Sequence, residues 1–136
     1  MSHEALSPEQ LGEHVRAIAK SNKQMTDQEG EDFAIHDLAK QSHFRCGEAS
    51  GAVEEHLDAV GVKHTPREYS TQISYMSNHY ATEVPTTKGP HIVDLAYSQY
   101  DDEMGNKGKK RAPWPLVEPK AAYLKRSGFT SDEDFR

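Results

Sequence analysis

The spacing of the apolar residues changes at Gly61, and no other feature of the sequence constrains the fold as strongly. Before this glycine, apolar residues recur at steps of three and four, as on one face of a helix: Ala49, Val53, Leu57 and Val60. After it, larger side chains alternate with more polar ones, as in a strand with one buried face: Tyr69, Thr71, Ile73 and Tyr75. Helices followed by strands predict an α+β fold, with N-terminal helices packed on a small antiparallel β-meander.

Two further helices are predicted before this one. Ser7-Pro8-Glu9-Gln10 is a capping box with proline in the first turn, so the first helix is expected over residues 8–20. Thr26-Asp27-Gln28-Glu29 repeats the capping pattern and predicts a second helix that ends near Lys40.

The C-terminal third alternates between irregular and regular patterns. The polar, lysine-rich residues 101–112 predict a solvated loop, and Trp114 after them is expected to anchor the chain on the core. Residues 119–126 predict a last short helix, which Gly128 stops.

Composition restricts the class of protein. A chain of 136 residues is expected to form a single domain over residues 1–136, with loose tails at 1–6 and 130–136. The net charge of −6 argues against binding to nucleic acid. With no signal-like or membrane-spanning apolar run, a soluble protein of a reducing compartment, the cytoplasm, is expected. One cysteine excludes an intramolecular disulfide and a CxxC zinc site, and no cofactor or metal is predicted.

That cysteine, Cys46, extends the helical stripe backwards and therefore opens the helix that ends before Gly61. Free N–H groups and the positive end of the helix dipole stabilise a thiolate at this position, which favours a nucleophilic role. A buried structural cysteine is the alternative interpretation, since unreactive cysteines are common in cores.

A histidine and an aspartate are predicted to meet on a β-hairpin. If residues 79–84 and 91–97 pair around a turn at Thr87 and Lys88, paired positions sum to about 175. His79 then lies two positions along the ladder from Asp94, and an even offset keeps both side chains on one face. One residue more or fewer in the turn would separate them. An aspartate within an apolar run is costly unless it is paired, or it lies exposed at a strand end.

The order of these residues resembles the papain-like and transglutaminase-like cysteine enzymes. The similar segments are Cys46-Gly47-Glu48-Ala49, Asn78-His79-Tyr80-Ala81-Thr82-Glu83-Val84 and His91-Ile92-Val93-Asp94-Leu95, within residues 41–101. The resemblance implies a Cys46 nucleophile, a His79 base and acid, and an Asp94 that orients the histidine. It also implies an oxyanion hole with the Cys46 N–H and Gln41 as candidate donors. No tryptophan follows Cys46, which departs from the peptidase pattern.

Three alternatives stay open at this point. His91 could replace His79 as the base if the hairpin register differs. His43 and Cys46 could bind zinc together with His79 or His91. For function, the prediction is cysteine-dependent acyl transfer or amide hydrolysis on a protein or peptide, by a protease, deamidase or transglutaminase-like enzyme. The alternative is an inactive binding or inhibitor protein on the same fold.

Overall fold

The computed structural model describes residues 5–40, 45–71, 78–103 and 112–131, and these form a mixed α+β structure. The elements follow in this order: α1 (Pro8–Ala19), β1 (Gln24–Thr26), β2 (Asp32–Ala34), a 3-10 helix (Ile35–Ala39), α2 (Cys46–Ala59), β3 (Thr65–Ser70), β4 (Asn78–Thr86), β5 (Gly89–Asp94), α3 (Ser98–Glu103), β6 (Leu116–Pro119), α4 (Lys120–Ser127) and β7 (Thr130–Ser131). The α+β class predicted from the sequence is therefore confirmed.

Strands β3 to β7 form one antiparallel sheet in the order β6-β5-β4-β3-β7, and β1 and β2 form a separate hairpin. The predicted register of the central hairpin is confirmed, because Thr82 pairs with Val93 and Thr86 with Gly89 around the Thr87-Lys88 turn. Strand β4, which begins with Asn78 and His79, lies at the centre of the sheet.

Each face of the sheet is covered by its own apolar cluster. On one face, buried residues of α1, the 3-10 helix and α2 pack with Val84 and Val93. On the other face, Ala81 and Ile92 pack with a group of aromatic side chains: Tyr69, Tyr97, Tyr100, Tyr123 and Phe129. The second face, called the tyrosine face below, includes four tyrosines that are almost completely buried.

The caps predicted for three helices are present. The Ser7 Oγ accepts a hydrogen bond from the Gln10 N–H, and the Gln10 Oε1 accepts one from the Ser7 N–H, which closes the capping box of α1. Gly61 and Gly128 follow α2 and α4 with φ of 72° and 71°, a backbone conformation that favours glycine.

The second predicted helix is wrong at its start. Thr26 does not cap a helix but ends β1, and the Asp27 carboxylate after it accepts hydrogen bonds from the N–H groups of Glu29 and Glu31 within the turn of the β1–β2 hairpin. Gly30 completes this turn with φ of 80°. Only a 3-10 helix, Ile35–Ala39, remains of the prediction. The sequence pattern was ambiguous because aspartate closes turns as readily as it caps helices.

Several predicted boundaries also differ. The strand expected over Tyr69–Tyr75 overlaps β3, Thr65–Ser70, at Tyr69 and Ser70, and its residues 72–75 lie outside the described residues. The expected loop contains the end of α3, up to Glu103, while residues 104–111 lie outside the described part. The predicted tails also make contacts, since Leu6 bridges to Thr86 and β7 pairs with β3. Across the described ranges, no helix has both the length and the apolar character needed to cross a bilayer.

Candidate functional site

His79 and Asp94 form a buried pair on the tyrosine face. The register of β4 and β5 puts both side chains on the same face, and the His79 Nε2 lies 2.6 Å from the Asp94 Oδ2. Neither side chain is more than 1% exposed. The structure therefore contains the contact that the hairpin register predicted, in a place where water does not compete for it.

The Asp94 carboxylate is held by two further hydrogen bonds. The Tyr123 hydroxyl, from α4, donates to the Asp94 Oδ2 at 2.7 Å, and the Ala96 N–H donates to Oδ1 at 2.9 Å. These bonds compensate for the burial of a charged group. The next residue is fixed as well, because the Trp114 indole N–H donates to the Leu95 carbonyl at 2.7 Å. The predicted role of Trp114 as an anchor is thereby confirmed.

The environment of His79 favours its protonated form. Burial alone would lower the pKa of the imidazole, but the charge and hydrogen bond of Asp94 outweigh this effect. The Cys46 side chain acts in the same direction, and together these interactions raise the pKa of His79 from 6.5 to about 9. At neutral pH the ring therefore carries a positive charge.

Cys46 is the first residue of α2, as the sequence predicted, and its side chain is partly exposed. The residue before it is tied to the N-terminal hairpin, because the buried Arg45 Nε donates to the Asp27 Oδ2 at 3.0 Å. The Arg45 guanidinium also lies 4.3 Å from the centre of the Phe33 ring. Since Arg45 provides no side-chain cap to α2, this ion pair fixes the start of the helix from outside.

The body of α2 does not lie over His79. Its buried residues pack with Val84 and Val93, on the face opposite to the tyrosine face. Cys46, in the first turn, packs against the same apolar cluster, which also contains Leu95 and Ala96, just beyond Asp94. The His79 Nδ1 is buried and makes no hydrogen bond of regular geometry within the described residues. Since Nε2 is bound to Asp94, Nδ1 is the ring nitrogen that remains available to another group.

Two tyrosines of this site were not predicted. Tyr123 bonds to Asp94, and the Tyr100 ring meets the His79 ring edge to face, with 4.5 Å between centroids. Burial is the main cause of a raised pKa at Tyr100, and the Cys46 and Asp94 side chains act in the same direction. Sequence periodicity could have indicated Tyr123 as the aromatic residue of a short helix, but no local pattern connects it with Asp94.

The other candidate residues are Gln41, His43 and His91. Gln41 and His43 lie outside the described residues. His91 is not an alternative base for Asp94, because the register turns its side chain to the opposite face and its Nδ1 lies 3.3 Å from both the Thr86 Oγ1 and the Gly89 carbonyl oxygen. Among described side chains, no group of three or more histidine, cysteine or acidic residues is arranged to hold a metal ion.

The raised pKa of His79 predicts a loss of stability at alkaline pH. Because the pKa of His79 is higher in the folded than in the unfolded protein, the protonated ring stabilises the fold. This stabilisation is complete below pH 6.5 and disappears as the pH rises through about 9. The corresponding decrease in the free energy of unfolding is about 3 kcal/mol. Urea unfolding between pH 6 and pH 10 would measure it. The variant His79→Gln, which keeps an N–H donor for Asp94, should lack this dependence, and an equal decrease in both proteins would contradict the assignment.

No protein-family model, curated protein sequence or solved structure matches this chain. The chemical capacity of the site follows from its own residues. An imidazolium that has one nitrogen bound to a carboxylate, and whose charged form a helix-opening thiol also favours, can stabilise a thiolate and transfer a proton at its other nitrogen.

Proposed function

We propose that the protein is a cysteine-dependent acyltransferase or amide hydrolase in which Cys46, His79 and Asp94 act as a triad on a protein or peptide substrate. The single observation that carries this proposal is the buried His79–Asp94 pair, whose charged imidazole interacts with the cysteine at the start of α2. The order of cysteine helix, histidine strand and aspartate strand supports a papain-like or transglutaminase-like core. A free catalytic thiol suits a reducing compartment such as the cytoplasm.

The first half of the reaction uses the thiolate of Cys46. Its sulfur attacks the carbonyl carbon of a carboxamide, so that an S–C bond forms and the carbonyl π electrons move onto oxygen. When this tetrahedral intermediate collapses, the C–N bond breaks and the leaving nitrogen takes the proton from the His79 Nδ1. The products are a thioester on Cys46 and a neutral amine or ammonia.

The second half restores the resting state. Neutral His79 accepts a proton from water or an amine that attacks the thioester, and the new intermediate expels the Cys46 thiolate. Throughout, the His79 Nε2–H keeps donating its hydrogen bond to Asp94, which fixes the tautomer and stabilises the imidazolium. Peptide hydrolysis, side-chain deamidation and transamidation share this thioester and differ in the acyl donor and in the second nucleophile.

Formation of an acyl-enzyme tests the proposal without knowledge of the natural substrate. p-Nitrophenyl acetate, a generic acyl donor, should release a burst of p-nitrophenolate equal to the enzyme concentration, because acetylation of Cys46 precedes slower hydrolysis. Intact-mass spectrometry should find one acetyl group, and peptide mapping should place it on Cys46. The variant Cys46→Ala should show neither the burst nor the added mass.

Acetylation that is no faster than that of the urea-unfolded protein would overturn the proposal. A binding or inhibitor protein with an incidental cysteine would then be the better description, since such a thiol has no activated state. Acetylation of lysine side chains in place of Cys46 would also overturn the proposal.

A further inference from the structure

The hydroxyl group of Tyr100 is a buried polar group that has no partner in the described part of the chain. Tyr100 is fully buried, and its oxygen makes no hydrogen bond within the described residues. Buried hydroxyl groups are nearly always paired, because an unmade hydrogen bond in the interior is costly. An exception beside a candidate active site suggests that the partner arrives with a ligand.

The position of Tyr100 connects it with the proposed chemistry. It belongs to α3, which begins four residues after Asp94, and its ring packs edge to face on His79 at 4.5 Å. The same ring lies 5.0 Å from that of Phe129 and 6.0 Å from that of Tyr97, so it is held on several sides. The Cys46 and Asp94 side chains both act on the phenol, and each raises the pKa of Tyr100 in addition to the effect of burial.

We propose that the Tyr100 hydroxyl is a catalytic hydrogen-bond donor to the oxyanion that forms when Cys46 attacks a carbonyl group. This inference rests on the proposed function and adds a residue to it. The backbone N–H at the start of α2 is a second donor to the same oxygen, since the first N–H groups of a helix have no partner within it. The substrate class is thereby limited to carbonyl compounds whose oxygen becomes negative on attack.

The environment of Tyr100 suits a donor that keeps its proton. Burial and the negative charges nearby raise its pKa, so the phenol stays neutral and donates without transferring its hydrogen. In the tetrahedral intermediate the negative charge passes from sulfur to oxygen. A fixed dipole aimed at that oxygen stabilises this state more than it stabilises the neutral carbonyl of the substrate.

The variant Tyr100→Phe tests this role by comparing two reactions of the same thiol. Alkylation by iodoacetamide displaces iodide at a saturated carbon and forms no oxyanion, whereas acetylation by p-nitrophenyl acetate passes through one. We expect the alkylation rate to be unchanged within about twofold, and the acetylation rate to fall by about 10²-fold, the effect of losing one oxyanion donor.

A matched control is Tyr97→Phe, which removes another buried hydroxyl from the same aromatic cluster and should preserve both rates. If Tyr100→Phe leaves acetylation unchanged, or slows alkylation to the same extent as acetylation, the oxyanion role is refuted. Failure of the proposed function is distinguishable, because the wild-type protein would then show no burst with p-nitrophenyl acetate. Equal urea midpoints for the two phenylalanine variants exclude a difference in folding as the cause.

Discussion

Replacing Asp94 by asparagine should slow the acetylation of Cys46 by about 10⁴-fold and leave the protein folded. The asparagine oxygen can take the place of Oδ1 and accept the hydrogen bond from the Ala96 N–H, so the turn after β5 keeps a partner and the amide nitrogen takes the place of Oδ2, opposite the His79 Nε2. The amide nitrogen, however, donates. It would force the His79 Nε2 to become an acceptor and place the ring proton on Nδ1, the nitrogen that must exchange protons with the reaction.

Stopped-flow kinetics with p-nitrophenyl acetate would measure this decrease, and circular dichroism with urea unfolding would report the fold. The nitrogen NMR signals of His79 provide a further readout, because the wild-type ring should carry two protons at pH 7 and the variant ring one. An Asp94→Asn protein that is folded and acylates at the wild-type rate would refute the triad. An unfolded variant would instead show that Asp94 is chiefly structural.

The second large effect concerns the reactivity of the thiol. We expect His79→Gln to slow the alkylation of Cys46 by iodoacetamide at pH 6 by about 10²-fold. An ordinary cysteine is only ~0.3% ionised at this pH, whereas a positive imidazole beside the sulfur stabilises the thiolate. Glutamine removes that charge, while its side-chain N–H can still donate to Asp94, so the buried carboxylate keeps a partner.

His91→Gln is the matched control, since it replaces another buried histidine of the same hairpin whose side chain lies on the opposite face of the sheet. Its alkylation rate should equal that of the wild-type protein. Repeating the reaction in mild denaturant separates a slow thiol from one that is merely covered, because only the covered thiol speeds up. Identical pH profiles from pH 5 to 9 for His79→Gln and the wild type would mean that His79 does not activate Cys46.

The sequence predicted the central hairpin well because local chemistry determines it. Two prolines and Gly89 flank the Thr87-Lys88 turn, and a turn of fixed length sets the register of both strands. From that register, the contact between His79 and Asp94 followed. The start of α2 at Cys46 was equally local, since an apolar stripe of helical period leads back to it.

The parts that sequence reasoning missed depend on contacts between distant segments. Tyr123 donates a hydrogen bond to Asp94, which lies 29 positions earlier in the chain, and no local sequence pattern predicts such a contact. The β1–β2 hairpin was mistaken for the start of a helix because the partners of Asp27 lie in a turn and in Arg45, 18 positions away. Tertiary contacts of this kind override local preference.

The order of the strands has a consequence for biosynthesis. Both outer strands of the sheet, β6 and β7, and the helix that carries Tyr123 come from residues 112–131. A ribosome therefore completes Cys46, His79 and Asp94 well before it makes the segments that enclose the imidazole and the carboxylate. The nascent chain cannot bury this pair until residues 112–131 have emerged from the exit tunnel. Maturation of the site thus waits for these later segments, even though all three of its central residues are translated earlier.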